Sequence, residues 1–302
     1  MSLTTDSKKS DFCIVSNFRI DSDLRLQRMK DSFASFNEAE ICSWNINVRG
    51  SHAHLAEEFL KQNITQEAKI TRLESGKGWF HDTSKLVQDI NNGYILYWIE
   101  DHINTASIET LNSVLQEISK GQIDQIQYSF FSRAKFDSCD DICSDENQFF
   151  RTMDFSRNTW EIFLSYCNDR KIVDPYLISL ASIMSTQTFK AILGKRDPRL
   201  RRHSKHTPFD FEKNHNDVHW LPLRTGFLRN ELFANIDTDH DGASLISRGL
   251  YSDAPKSNSH RSIELTNISS FEKICKSLSA ILKILLPKKV LYLLKRFTFH
   301  LR

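Results

Sequence analysis

No stretch of this chain reaches the roughly 18 consecutive apolar residues of a membrane span. Its first residues, Met1 to Ser10, are polar and lack the apolar core of a secretory leader. The six cysteines (Cys13, Cys42, Cys139, Cys143, Cys167, Cys275) are scattered. Their spacing gives neither a disulfide framework nor a four-cysteine zinc site, and a reducing compartment is the expectation. Gly76-Lys77-Gly78 lacks the spacing of a Walker phosphate loop. The acidic run Asp237 to Gly242 brings no glutamate at the twelfth position of a calcium loop. The segment with His203, His206, His215 and His219 fits no zinc spacing and borders the basic run Arg196 to Arg202. There is no internal repeat. An excess of one charge is missing too: the formal net charge is +2.

What is present is a chain of 302 residues, 40% hydrophobic, enough for one large domain with a substantial core. The small net charge is unevenly spread. Ile268 to Arg302 holds eight Lys/Arg against one Glu, which leaves the body mildly acidic. That argues against a whole-protein nucleic-acid binder and for a basic terminal element. Phe271, Ile274, Leu278, Ile281, Leu282 and Leu285 follow helical spacing beside Lys273, Lys276 and Lys283. A basic amphipathic helix of that kind reads as an anchor for an anionic membrane surface; a helix packed on the body or on a partner is the plainer reading.

Phe12-Cys13-Ile14-Val15 reads as a first buried strand ending in a polar loop, Ser16 to Arg19. Asp23 caps a helix through Phe36, with Leu24, Met29, Phe33 and Phe36 on one face. Ile41 to Ile46 is a second strand leading into Asn47-Val48-Arg49-Gly50, and Ser51 caps the next helix. Ala68 to Leu73 is a third strand, followed by the Gly76–Gly78 loop and a helix from Asp82 or Thr83 to Asn91. Tyr94 to Ile99 is the fourth strand, Thr105 to Lys120 an amphipathic helix, and Ile123 to Phe131 a fifth strand. Strands alternating with helices long enough for crossovers imply a mostly parallel, Rossmann-like α/β sheet. Further on, Phe149 to Asn168 is aromatic-rich and partly helical, Leu177 to Met184 strand-like, Thr186 to Leu193 a short helix, and Val218 to Leu223 a short strand. The organisation expected is one domain over residues 1–250, split near 131, then a linker (251–267) and the basic tail (268–302).

The most pointed stretch is Gly93-Tyr-Ile-Leu-Tyr-Trp-Ile-Glu100-Asp101-His102. A buried strand that ends in two carboxylates puts hard oxygen ligands at the carboxyl edge of a sheet. In open α/β folds ligands bind at that edge. Taken alone, the acidic pair reads first as an ordinary helix cap.

In order and position these residues resemble nucleotide-sugar glycosyltransferases of the GT-A fold. The family has a polar loop after the first strand (here Ser16 to Arg19) and a base- or ribose-holding loop after the second (Asn45 to Gly50). A Gly-containing loop and helix then precede an apolar strand ending in an acidic motif (Tyr94 to Asp101). The family's Asp-x-Asp is Glu-Asp-His here. The likeness covers about Phe12 to Phe131 well and Leu177 to His240 loosely.

The resemblance implies that Asn17, Arg19, Asn47, Arg49, Lys77 and Glu100 meet a nucleotide-diphosphate sugar. It implies Mg²⁺ or Mn²⁺ on Asp101, joined by His240, with Asp210 or Glu212 as the base if the enzyme inverts. The acceptor would be a glycan or a lipid-linked molecule in bacterial cell-surface polysaccharide synthesis. The protein would work at the cytoplasmic face of the membrane, held there by its tail, with no nucleic-acid partner. Two rival readings are a nucleotidyltransferase with the same Rossmann-like start and a catalytically inactive nucleotide-sugar-binding protein. The first needs a Gly/Arg/Lys signature after the first strand, which Ser16 to Asp23 lacks.

Overall fold

The computed structural model of the chain describes residues 11–129, 143–169, 177–194, 221–237 and 243–253. Contacts divide the chain after Asp253, and all the described residues belong to the first unit. The expected base pair Asp210/Glu212, His240 and the basic tail lie outside the described residues.

The first third is a regular β-α series: β1 (Phe12–Arg19), α1 (Asp23–Ala34), β2 (Ser43–Arg49), α2 (Ala53–Asn63), β3 (Glu67–Thr71), α3 (Trp79–Val87) and β4 (Tyr94–Tyr97). A short strand β5 (His102–Asn104) follows, then α4 (Ile108–Gly121) and β6 (Gln125–Gln127). The remainder adds β7 (Asp145–Glu146), β8 (Phe150–Phe155), α5 (Arg157–Asp169), β9 (Ser182–Ser185), α6 (Thr186–Gly194), β10 (Leu223–Leu228) and β11 (Phe233–Asn235). Nine strands form one sheet in the order β3-β2-β1-β4-β9-β6-β10-β8-β7, and β5 pairs with β11 beside it. The sheet is mostly parallel, as expected. Within it β9 lies antiparallel between β4 and β6.

Alternation along β1 and β4 shows why both strands read as continuous apolar runs. Phe12, Ile14, Phe18, Tyr94, Leu96 and Trp98 enter one core with α1, α2 and α4. Cys13, Val15, Ile95 and Tyr97 enter a second core with α3, α5 and α6. Helices therefore cover both faces, and a strand buried on both sides loses the hydrophobic-polar alternation of a half-exposed one. The chain winds from β1 through β2 to β3, then returns through α3 to place β4 on the other side of β1. That reversal puts α3 on the face opposite α1 and α2. It also makes the β1–β4 boundary a topological switch point.

Several local boundaries differ from expectation for identifiable reasons. Ser22, one residue earlier than Asp23, caps α1: its side chain accepts from the Arg25 amide at 3.3 Å. The buried face of α1 is Leu26, Met29, Ser32 and Phe33, and Leu24 is exposed. α2 starts after His52 with no side-chain cap and buries Ala53, Ala56 and Leu60. Its entry depends on Gly50, at φ +98°, where a Cβ would run into the Ile20 carbonyl. β1 and β2 continue to Arg19 and Arg49, well past the points where their apolar runs end. The 149–168 segment splits into β8 and α5, joined by a cluster in which Phe155 meets Trp160 and Phe163 edge-on. Leu177–Ala181 is not strand; the strand begins at Ser182.

Candidate functional site at the β1–β4 switch point

β1 and β4 pair only as far as Val15 and Tyr97, and then part. The carbonyls of β1 that face β4 continue to be satisfied, but by different partners. Val15 O accepts from the Trp98 amide at 2.9 Å. Asn17 O accepts from the Trp79 indole at 3.0 Å. Arg19 O accepts from Arg25 Nη1 at 2.9 Å. Two side chains, one from α3 and one from α1, thus replace the missing strand and keep the crevice open without leaving unpaired backbone.

Glu100-Asp101-His102 forms the turn on the β4 side, closed by the His102 amide on Ile99 O at 3.1 Å. Glu100 is 9% exposed. Its nearest cation is Arg25, with Nη2 3.8 Å from Oε1. Burial and the neighbouring Asp101 charge push the Glu100 carboxyl up to about 7. Asp101 shifts the other way. Burial would raise it, but the His102 hydrogen bond and charge, with Arg25, outweigh burial and lower it. His102 Nδ1 stands 2.8 Å from Asp101 Oδ1. The turn is fixed from behind. The Ser32 hydroxyl donates to His102 O, and the Trp98 indole donates to Ser32 Oγ at 2.8 Å. His102 also lies in register with Asn235 of β11, and the Ile236 amide donates to Asp101 O at 2.8 Å.

The remaining expected residues divide by how their side chains are occupied. Asn17 and Asn47 stand in strands instead of loops, in register and nearly solvent-free. Asn47 Nδ2 donates to Asn17 Oδ1 at 3.0 Å and to Leu73 O at 2.8 Å. Its Oδ1 accepts from the Leu73 amide at 2.6 Å and Thr71 Oγ1 at 2.9 Å. Asn17 Nδ2 donates to Thr83 Oγ1 at 2.8 Å. Both amides therefore hold the loop after β3 and the start of α3. Arg19 is bound by Asp21 at 2.9 Å and Glu74 at 2.8 Å. Arg49 is 4% exposed; burial, with Arg19 beside it, lowers its pKa. Lys77 is on the exposed loop, its amide donating to Ser75 Oγ at 3.2 Å. That loop is fastened to α3 by Asp82, which accepts from the Ser75 hydroxyl.

Three features carry little signal in the sequence. For Arg25 the available signal is an arginine one turn after a strand-helix junction. The β5–β11 pair is too short, at three residues each, to show a period. Arg28 of α1 binds Asp237 through Nη1 and Asp253 at 2.7 Å, fixing both ends of the segment after β11.

The described residues do not fit a divalent cation well. Among them, no group of three or more His, Cys, Asp and Glu is placed to share a metal ion. One oxygen of Asp101 is engaged by His102, Glu100 is driven toward its neutral form, and a guanidinium already stands beside it. Among the described residues, no helix is long and apolar enough to cross a membrane.

No protein-family model matches the chain, and no curated protein matches it by sequence. Solved structures are similar at low identity. The S. aureus TarS 1–349 chain aligns with a TM-score of 0.43 and 10% identity, over 74% of this chain and 59% of that one. A UDP-glucose pyrophosphorylase complexed with UDP-glucose gives 0.44 and 9%, over 79% and 97%. A CMP:2-keto-3-deoxy-manno-octonic acid synthetase complexed with CTP gives 0.40 and 11%, over 75% and 93%. This chain thus spans less than two thirds of the TarS 1–349 chain. With TM-scores below 0.5, these likenesses do not extend to function.

Proposed function

We propose that this protein is a glycosyltransferase that uses a nucleotide-diphosphate sugar. The observation that carries the reading is the meeting of Glu100, Asp101 and Arg25 where β1 and β4 part, at the carboxyl edge of the sheet. An open α/β sheet binds its ligand at such a switch point. A crevice with carboxyl groups on one wall and a guanidinium on the other suits a substrate that carries both sugar hydroxyls and phosphates.

In this reading the buried Asn17–Asn47 pair sets the floor, and the Ser75–Gly78 loop forms one rim next to the base. Glu100 and Asp101 face the sugar-diphosphate junction. Asp210 or Glu212 serves as the base toward the acceptor hydroxyl, a glycan or lipid-linked molecule. The tail from residue 268 brings the enzyme to the cytoplasmic face of an anionic membrane. The metal assignment, Mg²⁺ or Mn²⁺ on Asp101 and His240, finds no complete ligand set in the described residues, and no step here depends on it.

Calorimetry of the full chain with a panel of nucleotide sugars, with and without Mn²⁺, tests the reading, together with donor hydrolysis by Asp101→Ala. Binding of one donor and loss of hydrolysis in a folded mutant are expected. If no nucleotide sugar binds under either condition, or if Asp101→Ala turns over as wild type, the assignment is wrong. Removal of Phe271 to Arg302 should abolish binding to anionic liposomes; unchanged binding would remove the tail's role.

A further inference from the structure

We propose that Arg25 grips the diphosphate of the donor, bringing as a fixed guanidinium the positive charge a divalent cation would otherwise supply. The inference rests on the nucleotide-sugar reading and names the residue behind it.

Of the arginines described near the crevice, Arg25 is the one both placed and able to act. Arg19 is committed to two carboxylates, Arg49 is sealed in the sheet, and Arg28 is clamped between two aspartates. Arg25 differs on each count. Its side chain is 48% exposed. Its Nη1 is anchored on Arg19 O, which fixes the guanidinium across the mouth of the crevice. Its Nη2 is 3.8 Å from Glu100, an ion pair without a hydrogen bond. Arg25 therefore holds N–H donors in reserve, and offering them to a phosphate breaks no hydrogen bond to a carboxylate.

The chemistry fits the group. A guanidinium presents a planar fork that meets two phosphate oxygens at once. When a glycosidic bond to a diphosphate breaks, negative charge grows on the bridging oxygen as the bond's electron pair leaves with it. A charge already positioned at that point stabilises this without reorganisation. Arg25 also lies in the first turn of α1, where the helix dipole adds partial positive charge.

The test is nucleoside diphosphate binding to the full chain. UDP, CDP, GDP and ADP would be titrated in EDTA and again in Mn²⁺, against wild type, Arg25→Gln and Arg25→Lys, with the parent nucleoside as control. In EDTA the wild type should bind at least one diphosphate, with Kd changed by less than about threefold when Mn²⁺ is added. Arg25→Gln should raise that Kd about tenfold or more while leaving nucleoside affinity unchanged; Arg25→Lys should recover part of it. Wild-type binding only with Mn²⁺, or wild-type affinity in an Arg25→Gln protein with unaltered thermal unfolding, would overturn the inference and leave the nucleotide-sugar reading intact. No diphosphate binding by wild type under either condition would overturn both.

Discussion

His102 Nδ1 lies 2.8 Å from Asp101 Oδ1, so two adjacent residues at the turn after β4 are paired. An ionised carboxylate only accepts hydrogen bonds, so the proton between them belongs to the imidazole nitrogen. The neutral ring is thereby held as its Nδ1–H tautomer, with Nε2 as the acceptor. Nitrogen-15 spectra of the His102 ring should show that tautomer, and Asp101→Ala should return the ring to a mixture dominated by Nε2–H. An unchanged ring spectrum in the mutant would show that the contact does not set the tautomer.

Glu100 makes stability depend on pH in a defined direction. Its carboxyl rises from 4.5 to about 7 because burial disfavours the charged form. The folded state keeps a proton that the unfolded chain releases, so this contribution is full below about pH 4.5. It is lost as pH climbs through 7. Glu100→Gln should flatten the loss, which is on the order of 3 kcal/mol between pH 4.5 and 8. Urea midpoints at pH 5 and pH 8 provide the comparison; equal slopes in the two proteins would contradict it. The depressed Asp101 works in the opposite sense and only at lower pH, where protonation ends its pairing with His102.

Asn47 acts as a peg for the loop after β3. It binds both the amide and the carbonyl of Leu73, and it also meets Thr71 and Asn17. Asn47→Ala should cost about 2–3 kcal/mol by leaving buried partners unsatisfied. Amide exchange at Leu73 should accelerate with it. Asn47→Asp should be worse still, because it removes both donors and buries a charge beside Asn17 Oδ1. A stability loss under about 0.5 kcal/mol for the alanine variant would show that the loop is held by other contacts.

Arg28 ties the stretch after β11 to α1, and the Tyr251 hydroxyl adds a bond to Asp31 at 2.7 Å. The two carboxylates hold the guanidinium more firmly protonated than usual. Because the aspartates are partly exposed, Arg28→Met should lower global stability by only about 1 kcal/mol. Its clear effect should be local: faster amide exchange at Leu245, Ile246 and Leu250, whose amides bond to Asn235, Ile236 and Leu245 carbonyls. Unchanged exchange there would make Arg28 a surface ornament.

The sheet was legible from sequence where hydrophobic periodicity runs long. Strands β1 to β4 and their helices fall where apolar runs and helical spacing put them, because burial on both faces demands those runs. Less was legible where geometry depends on pairing partners. Asn17, Arg19, Asn47 and Arg49 look like loop residues, since polar side chains end each apolar run. They are strand residues because Asn47 and Asn17 satisfy one another across the ladder and Arg49 is roofed by α3 and its loop. β9 reads as an ordinary apolar strand, and nothing local in it declares that it runs backwards. The acidic turn shows in the sequence by its position, but its chemistry does not: the electrostatics of Glu100, Asp101, His102 and Arg25 depend on α1, which is close only in space.

The reversed direction of β9 has a bearing on mutational maps of this protein. A parallel strand there would deliver its start to the edge of the sheet away from the crevice. Running backwards, β9 begins at the crevice side, with Ala181 O accepting from the Tyr128 amide at 3.0 Å while the Tyr128 hydroxyl reaches Tyr97 O at 2.7 Å. Residues some eighty positions beyond the acidic turn therefore share a rim with it. A scan for loss of function should light up as two separated bands along the sequence, near 97–102 and near 177–182, that fuse into one patch in space.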